Sequence, residues 1–275
     1  MKENSFDLEN EYHRLVQYIK GMGSAVVAFS GGVDSSLLLA AAKDALGKRL
    51  VAVTGISPSV PERERQAARR IAAFLGVKHL EIESGEFENE DFLKNPPERC
   101  YFCKKSLFQR LKKIAEENHI SAILEGSNAD DRSDYRPGMR AVCELGVRSP
   151  LMELGLGKEQ IRQLARFREL EVWDKPAAAC LASRLPYGEK LAPERLRRIE
   201  LAEDFLLSLG FSQVRVRDQR HLARIEVARE EMDRLLSSPL RERILDKLLA
   251  LGFHYVTVDL GGYRRGSLNA PEEHR

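Results

Sequence analysis

A run of small, hydroxyl-bearing and acidic residues near the N-terminus has the types and order needed to bind an anion. The run is Ser30-Gly31-Gly32-Val33-Asp34-Ser35-Ser36. Its glycines let the backbone approach a ligand closely, and a helix starting here would direct the N–H groups of its first turn at that ligand. The serine hydroxyls add donors. Because no Gly-Lys-Ser/Thr ending follows, the run is not a Walker A loop and argues against γ-phosphoryl transfer.

A second polar run, Gly126-Ser127-Asn128-Ala129-Asp130-Asp131, follows another short apolar segment. Taken alone it is a weak signal. Asp34, in the first turn of the helix predicted after the first run, has two possible roles. It can be an acidic partner of the helix dipole, or it can help to hold Mg²⁺ beside bound phosphates.

Three of the four cysteines form the other candidate for chemistry. Cys100 and Cys103 make a C-x-x-C pair, and Cys180 follows much later. The pair alone fits a metal half-site, a redox pair or two buried cysteines. A structural zinc would need a fourth ligand, for which Cys143 and His119 are the nearby candidates, whereas three cysteines suit an iron–sulfur cluster with one open iron. Cys143, in MRAVCELG, is interpreted as a core residue.

The elements around these residues alternate between strand and helix. Buried strands are predicted at 24–30, 50–56, 78–83 and 120–126, and helices at 7–20, 34–46, from Pro61 to Gly76 and at 100–118. This alternation predicts an α/β fold, a parallel sheet with helices on both faces. Ligands bind beyond the carboxyl ends of such strands, where both polar runs lie. The segment leading to Cys180 is expected at the same edge.

The pattern changes at Pro186-Tyr187-Gly188. Beyond this break we expect a helix at 193–209, strands at 214–217, 223–227 and 254–260, and two helices within 229–251. We therefore predict two domains, 1–186 and a smaller α+β domain at 187–275.

The first run resembles the signature of the PP-loop ATP pyrophosphatases, and the second run resembles a segment that lies near the nucleotide in them. The resemblance implies ATP binding, an adenylated substrate and pyrophosphate release. It implies these ATP-binding residues: Ser30, Gly31, Gly32, Asp34, Ser35, Ser36, Gly126, Ser127 and Asp130.

Further motifs narrow the resemblance to the LarE family of ATP-dependent sulfur transferases. They are RCYFCKKSLF, LEGSNADD, WDKPAAACLASRLPYG, VRVR and GYRRGSLN, and they extend over nearly the whole chain. Members are said to adenylate the carboxylates of a pyridinium-3,5-dicarboxylate mononucleotide and convert them to thiocarboxylates, for the nickel-pincer nucleotide cofactor of lactate racemase. The resemblance implies the same small-molecule nucleotide substrate here.

Two versions of the sulfur step are known in that family. In one, a lone cysteine at the position of Cys180 gives up its own sulfur and becomes dehydroalanine. In the other, three cysteines hold a [4Fe–4S] cluster whose open iron carries sulfide. This sequence has cysteines at all three positions, Cys100, Cys103 and Cys180, and so resembles the cluster type.

The substrate implied by the resemblance carries a phosphate and two carboxylates, so arginines are the expected ligands. We predict that Ser183, Arg184, Arg215 and Arg217 bind the substrate. Arg215 and Arg217 point to the same face of a predicted strand, where both can meet one anion. Lys104 is a candidate for pyrophosphate or substrate. The resemblance favours Glu203 as a residue that orients an arginine.

Composition sets the remaining expectations. The 275 residues carry a net charge of +2, which argues against non-specific binding of nucleic acid. No apolar run is long enough to span a bilayer, and the N-terminus lacks a signal-peptide pattern, so a cytoplasmic location is expected. The smaller domain is expected to form a homo-oligomer interface. Two alternatives remain: a PP-loop tRNA thiolase, and an ATP-binding iron–sulfur sensor without turnover.

Overall fold

The structure is a computed structural model, and it describes residues 7–132, 136–176 and 179–264. The chain divides into two compact units. The first comprises Met1–Phe92 and Pro97–Ala178, and the second comprises Leu93–Pro96 and Ala179–Arg275. The units therefore divide at residue 179, whereas the sequence analysis set the domain boundary at 186. The segment 179–185 belongs to the second unit because Arg184 is bound by Glu203 of that unit.

The first unit contains four strands and eight α-helices among its described residues. The strands are β1 (Ala25–Ala28), β2 (Leu50–Ile56), β3 (Lys78–Glu83) and β4 (Ala122–Leu124). The helices are α1 (Leu8–Lys20), α2 (Val33–Leu46), α3 (Glu62–Phe74), α4 (Glu90–Leu93, whose last residue falls in the second unit), α5 (Arg99–Glu117), α6 (Gly138–Glu144), α7 (Pro150–Glu153) and α8 (Lys158–Phe167).

The four strands form one parallel sheet in the order β3-β2-β1-β4. Alternate residues of β1 face opposite sides of this sheet, as the two-residue period of a strand requires. Ala25 and Val27 pack into one apolar cluster, and Val26 packs into another. Because both faces are buried, the strand reads as a continuous apolar run.

Helices cover both faces of the sheet, as the sequence predicts. Helices α1, α2, α3 and α8 pack in the cluster that contains Ala25 and Val27, which is the first cluster. Helices α5 and α6 pack in the second cluster, with Val26. Helix α2 is apolar nearly all round, with Leu37–Ala42 buried, which is the pattern of a helix enclosed by its neighbours. The α/β fold with a doubly covered parallel sheet is confirmed.

The second unit is a smaller α+β structure. Its elements are α9 (Pro193–Ser208), β5 (Val214–Gln219), β6 (Leu222–Val227), α10 (Met232–Leu236), α11 (Leu240–Ala250) and β7 (Tyr255–Val258). The sheet order is β5-β6-β7, with β5 antiparallel and β7 parallel to β6. The apolar sides of the helices and the sheet share one core.

Most predicted elements occur with shifted ends. Strand β4 is shorter than the predicted 120–126, because the N–H of Ile120 still donates to the carbonyl of Ala115 and closes α5. The GYRRGSLN motif continues beyond Arg264, and that part lies outside the described residues. No helix within the described residues is both long and apolar enough to cross a membrane.

We expect Phe108→Ala in α5 to lower the free energy of unfolding by about 3–5 kcal/mol, because it removes a ring buried in the second cluster. Phe74→Ala is the matched control, since that ring is 71% exposed, and it should change stability by less than about 0.5 kcal/mol. Urea denaturation followed by circular dichroism measures both. Equal losses would contradict the assignment of this core.

Candidate active site

The first polar run forms the turn between β1 and α2. Gly31 has a φ of 71°, and a Cβ at this position would lie 2.9 Å from the backbone nitrogen of Ala68 in α3. Only glycine fits there. Gly32 differs, since its Cβ would meet only the Ser30 hydroxyl oxygen at 3.5 Å. Gly31 therefore makes the turn, and Gly32 keeps space open at the start of α2.

Serine hydroxyls stabilise this turn. The Ser35 hydroxyl donates to the carbonyl of Gly32 at 3.1 Å and lies 3.1 Å from the Ser30 hydroxyl. Ser30 is exposed, whereas Ser36 is fully buried. The hydroxyl of Ser36 has no hydrogen-bond partner among the described residues. The predicted phosphate loop thus presents Ser30, while Ser35 supports the turn from inside.

The second polar run packs directly against the first. A Cβ on Gly126 would lie 3.0 Å from the backbone nitrogen of Ser35, so the two loops meet backbone to backbone. Because β1 and β4 are neighbours in a parallel sheet, their carboxyl ends bring the two loops together. The structure confirms that the two polar runs lie at one edge of the sheet.

Glu125, just before Gly126, is a buried carboxylate beside this loop. It accepts hydrogen bonds from the ammonium of Lys104 at 3.0 Å, from the hydroxyl of Ser127 at 2.9 Å and from the hydroxyl of Ser149 at 2.5 Å. Burial alone would raise the pKa of Glu125, but the Lys104 charge and the two hydroxyls hold the pKa below its ordinary value. Glu125 is a residue that the sequence analysis missed.

A cavity of about 340 Å³ opens at the carboxyl ends of all four strands. Ser30, Gly32 and Asp34 line it beside β1, and Gly126 lines it beside β4. Glu86, which follows β3, also lines the cavity. Small-molecule pockets usually have volumes of about 300–1,000 Å³, so this cavity is large enough for part or all of a nucleotide.

The carboxylate of Asp34 is held by an unforeseen partner. The ammonium of Lys158, the first residue of α8, lies 2.8 Å and 2.6 Å from its two oxygens. Burial raises the pKa of Asp34, and the hydrogen bond and charge of Lys158 oppose that rise. The backbone N–H of Lys158 donates to Asp130 at 2.8 Å. The only sequence signal for Lys158 was its position at a helix start after Gly157.

The first unit holds Cys100 and Cys103 one turn apart on α5. Cys100 is exposed, and Cys103 is partly exposed and lines the cavity. The prediction that Cys143 is a core residue is wrong. Helix α6 buries Ala141 and Val142 and leaves Cys143 exposed. None of the four cysteines forms a disulfide.

Cys180 belongs to the second unit, where it precedes a 3-10 turn at Leu181–Arg184 and is partly exposed. Its carbonyl accepts hydrogen bonds from the Ser183 hydroxyl at 2.8 Å and from Arg184 at 3.1 Å. The backbone that carries this thiol is therefore fixed. Within the described residues, no group of three or more His, Cys, Asp or Glu side chains is placed to hold a metal ion.

Arg184 and Glu203 form a buried ion pair, with side chains 1% and 0% exposed. Two nitrogens of the guanidinium donate to Glu203 at 2.8 and 3.0 Å, and the third donates to the carbonyl of Ala179 at 2.9 Å. Glu203 also accepts from the N–H of Val216 at 3.1 Å. The pair therefore fastens the Cys180 loop to α9 and β5, and each nitrogen of Arg184 is used inside the protein.

Arg215 and Arg217 both lie on β5, but they have different partners. Arg217 is buried and donates to Glu226 at 2.8 and 2.9 Å and to the carbonyl of Ser183 at 2.7 Å. Arg215 stacks on the ring of Tyr263, 5.2 Å from its centre, and no carboxylate pairs with it in the described part of the chain. Burial lowers the pKa of Arg215, and the charge of Arg184 lowers it further. Of these two arginines, Arg217 is paired with a carboxylate and Arg215 is not, among the described residues.

Comparison with known proteins finds relatives that match nearly the whole chain. The family model described as asparagine synthase matches residues 22–131, which include both polar runs. An uncharacterised protein of Synechocystis sp. is 41% identical, covering 95% of this chain and 98% of its own length. The pyridinium-3,5-bisthiocarboxylic acid mononucleotide synthase of Lactiplantibacillus plantarum is 38% identical, covering 93% and 92%. An uncharacterised protein of Methanocaldococcus jannaschii is 30% identical, covering 87% and 90%.

These likenesses extend over nearly the full length of each protein, and the matched residues include the loops that form the cavity. The chain therefore belongs to the PP-loop family that includes pyridinium-3,5-bisthiocarboxylic acid mononucleotide synthase.

Proposed function

We propose that this protein uses ATP to adenylate the carboxylates of pyridinium-3,5-biscarboxylic acid mononucleotide and then converts them to thiocarboxylates. The observation that carries the proposal is the cavity built by two glycine-containing loops at the carboxyl ends of β1 and β4. The full-length likeness to a synthase of the bisthiocarboxylic acid mononucleotide supports the choice of substrate.

The chemistry explains why ATP is needed. A carboxylate is a poor electrophile, and its attack on the α-phosphorus of ATP breaks the bond to the bridging oxygen and releases pyrophosphate. Sulfur then adds to the acyl carbon, and AMP leaves with the former carboxylate oxygen. The backbone N–H groups at the start of α2 are fixed donors for phosphate oxygens, which makes them suited to the charge that develops in the first step.

Mg²⁺ fits the oxygen ligands beside this loop. The carboxylates of Asp34 and Asp130 are hard donors of the kind that Mg²⁺ prefers, and Lys158 contacts both residues. When bound with ATP, the ion would neutralise phosphate charge. Asp34 lines the cavity and is the residue we assign to it.

The second unit supplies the proposed substrate ligands. Arg215 would bind a carboxylate or phosphate of the mononucleotide, because its guanidinium has no carboxylate partner among the described residues. Arg217 donates to the carbonyl of Ser183 and Arg184 donates to its hydroxyl, so these two arginines would position Ser183. Glu203 accepts from the N–H of Val216 and would hold β5 next to Arg215. Lys104, which lines the cavity, would meet phosphate or substrate there.

For the sulfur step we propose a [4Fe–4S] cluster held by Cys100, Cys103 and Cys180. The chemistry of the donors fits, since all three are thiols outside disulfides, and Cys100 and Cys103 lie at positions three apart on one helix. The proposal requires Cys180, from the second unit, to act with them. When bound, the cluster would supply the sulfur atom.

The proposed setting is the cytosol, where thiols stay reduced. We also propose a homo-oligomer. Leu245 and Leu249, four residues apart on α11, are each 41% exposed and offer an apolar surface for a second copy.

Gly32→Val tests the ATP assignment. Because a Cβ at this position meets only the Ser30 hydroxyl, the fold should persist while the larger side chain fills the space beside the phosphates. We expect at least a ~100-fold loss of substrate-dependent pyrophosphate release. Gly21→Ala, at a helix end with an ordinary φ of −63°, is the control and should be neutral. Unchanged pyrophosphate release in Gly32→Val would refute ATP binding at this loop.

Arg215→Ala tests the substrate site. We expect the KM for the mononucleotide to rise by about 10- to 100-fold, since a charge-assisted hydrogen bond is lost, while ATP affinity stays within about twofold. Arg241→Ala, which removes an exposed arginine on α11, is the control. Arg217→Ala is a poorer test because it leaves Glu226 buried without this partner. A fall in ATP affinity without a change in KM for the mononucleotide would refute the assignment.

Cysteine variants test the sulfur step. In anaerobically reconstituted protein, Cys100→Ala, Cys103→Ala and Cys180→Ala should each lower bound iron and thiocarboxylate formation together, because three thiolates hold the cluster. Cys143→Ala is the control and should change neither. If only Cys180 matters, and intact-mass spectrometry shows it converted to dehydroalanine in step with product, the sacrificial mechanism is correct instead.

A further inference from the structure

The phosphate loop has no lysine of its own, but the ammonium group of a distant lysine lies beside the first turn of α2, the helix that follows the loop. Lys158 bonds to both oxygens of Asp34, which lies in the first turn of α2. Lys158 is the first residue of α8, far along the chain from the loop. The fold therefore brings a cation to the place where phosphates would lie.

The backbone of Lys158 is fixed by contacts on two sides. Its N–H donates to Asp130, and a Cβ on the preceding Gly157 would lie 3.1 Å from the same carboxylate. On the other side, Ile161 and Leu164 of α8 pack in the apolar cluster that also contains α2. The side chain of Lys158 can change partner while its backbone stays in place.

The ion pair between Lys158 and Asp34 is suited to exchange. Their side chains are 30% and 23% exposed, so the pair lies at the surface of the site rather than in the core. Lys158 is the one side chain that hydrogen bonds to the Asp34 carboxylate among the described residues. By contrast, Glu125 holds Lys104 with the help of two serine hydroxyls and is 7% exposed.

A triphosphate would compete strongly for this ammonium. ATP brings several negative charges, whereas Asp34 offers one, and attraction in a partly dry site grows with charge. The Asp34 side chain is 23% exposed, so its carboxylate needs another partner when the ammonium leaves. The divalent cation that accompanies ATP can replace the ammonium as its partner.

We propose that Lys158 is the phosphate-binding lysine of this enzyme. Asp34 holds its ammonium before ATP binds, and the ammonium then contacts the β- and γ-phosphates. As the bond between the α-phosphorus and the bridging oxygen breaks, the electron pair stays on that oxygen, and Lys158 neutralises part of the charge on the departing pyrophosphate. The ammonium keeps its proton throughout. This inference rests on the proposed ATP-dependent function.

The test compares ATP and AMP in direct binding to the full-length protein, by calorimetry with Mg²⁺ and without the mononucleotide. Lys158→Met should weaken ATP binding by about 10- to 100-fold and AMP binding by less than about twofold, because AMP lacks the phosphates that the lysine contacts. Lys158→Arg should recover part of the ATP affinity. Lys43→Met is the control, since Lys43 bonds to the carbonyl of Gly76 away from the cavity.

Unchanged ATP affinity in Lys158→Met would overturn the inference. Equal losses for ATP and AMP would also overturn it, because they would show that Lys158 only supports the fold of the loop. Retained AMP binding shows in the same experiment that the variant is folded. The proposed function fails separately, if the unaltered protein binds ATP but releases no pyrophosphate with the mononucleotide.

Discussion

The close approach of two backbones at the carboxyl ends of β1 and β4 is the constraint on which the site depends. Gly126 lies so near the N–H of Ser35 that a Cβ would come within 3.0 Å. On its other side the first loop meets Ala68 of α3 through Gly31. The start of α2 is therefore enclosed by backbone from two directions, and Gly32, Asp34 and Ser35 line the cavity there.

Within each unit, oppositely charged side chains form pairs that differ in their exposure to solvent. Lys104 and Glu125 form a pair supported by neighbouring hydroxyls, whereas Lys158 and Asp34 form a pair whose side chains are 30% and 23% exposed. In the second unit, Arg184 and Glu203 are fully buried and hold the loop that carries Cys180. Breaking a buried pair leaves an uncompensated charge, so this pair fixes the loop rather than serving as a reversible contact.

Much of this could be predicted from the sequence. The alternation of apolar strands and amphipathic helices predicted the doubly covered parallel sheet, and the glycines and serines of the first run predicted the loop at its edge. These features depend on local pattern. The features that could not be predicted are contacts between side chains distant in sequence. Examples are the ion pair of Lys158 with Asp34 and the hydrogen bond from Ser149 to Glu125.

The local sequence pattern gave a wrong prediction for the burial of Cys143. Cys143 stands beside Ala141 and Val142 in an apolar context, but α6 is short and buries only one side, so the cysteine is exposed. Neighbouring residues on a helix point about 100° apart, and an apolar neighbour is therefore a poor guide to burial. The sequence pattern also could not distinguish Arg215 from Arg217. They differ because Glu226, which lies on β6, pairs with Arg217.

In the proposed reaction, ATP activates a carboxylate of the mononucleotide as an acyl-adenylate. The most direct measurement is the fate of ¹⁸O placed in the substrate carboxylates during a single turnover with ATP. Because sulfur attacks the acyl carbon and AMP departs with a former carboxylate oxygen, we expect one ¹⁸O atom in the AMP for each thiocarboxylate formed, and none in pyrophosphate. Unlabelled AMP, or formation of ADP and labelled phosphate, would contradict it.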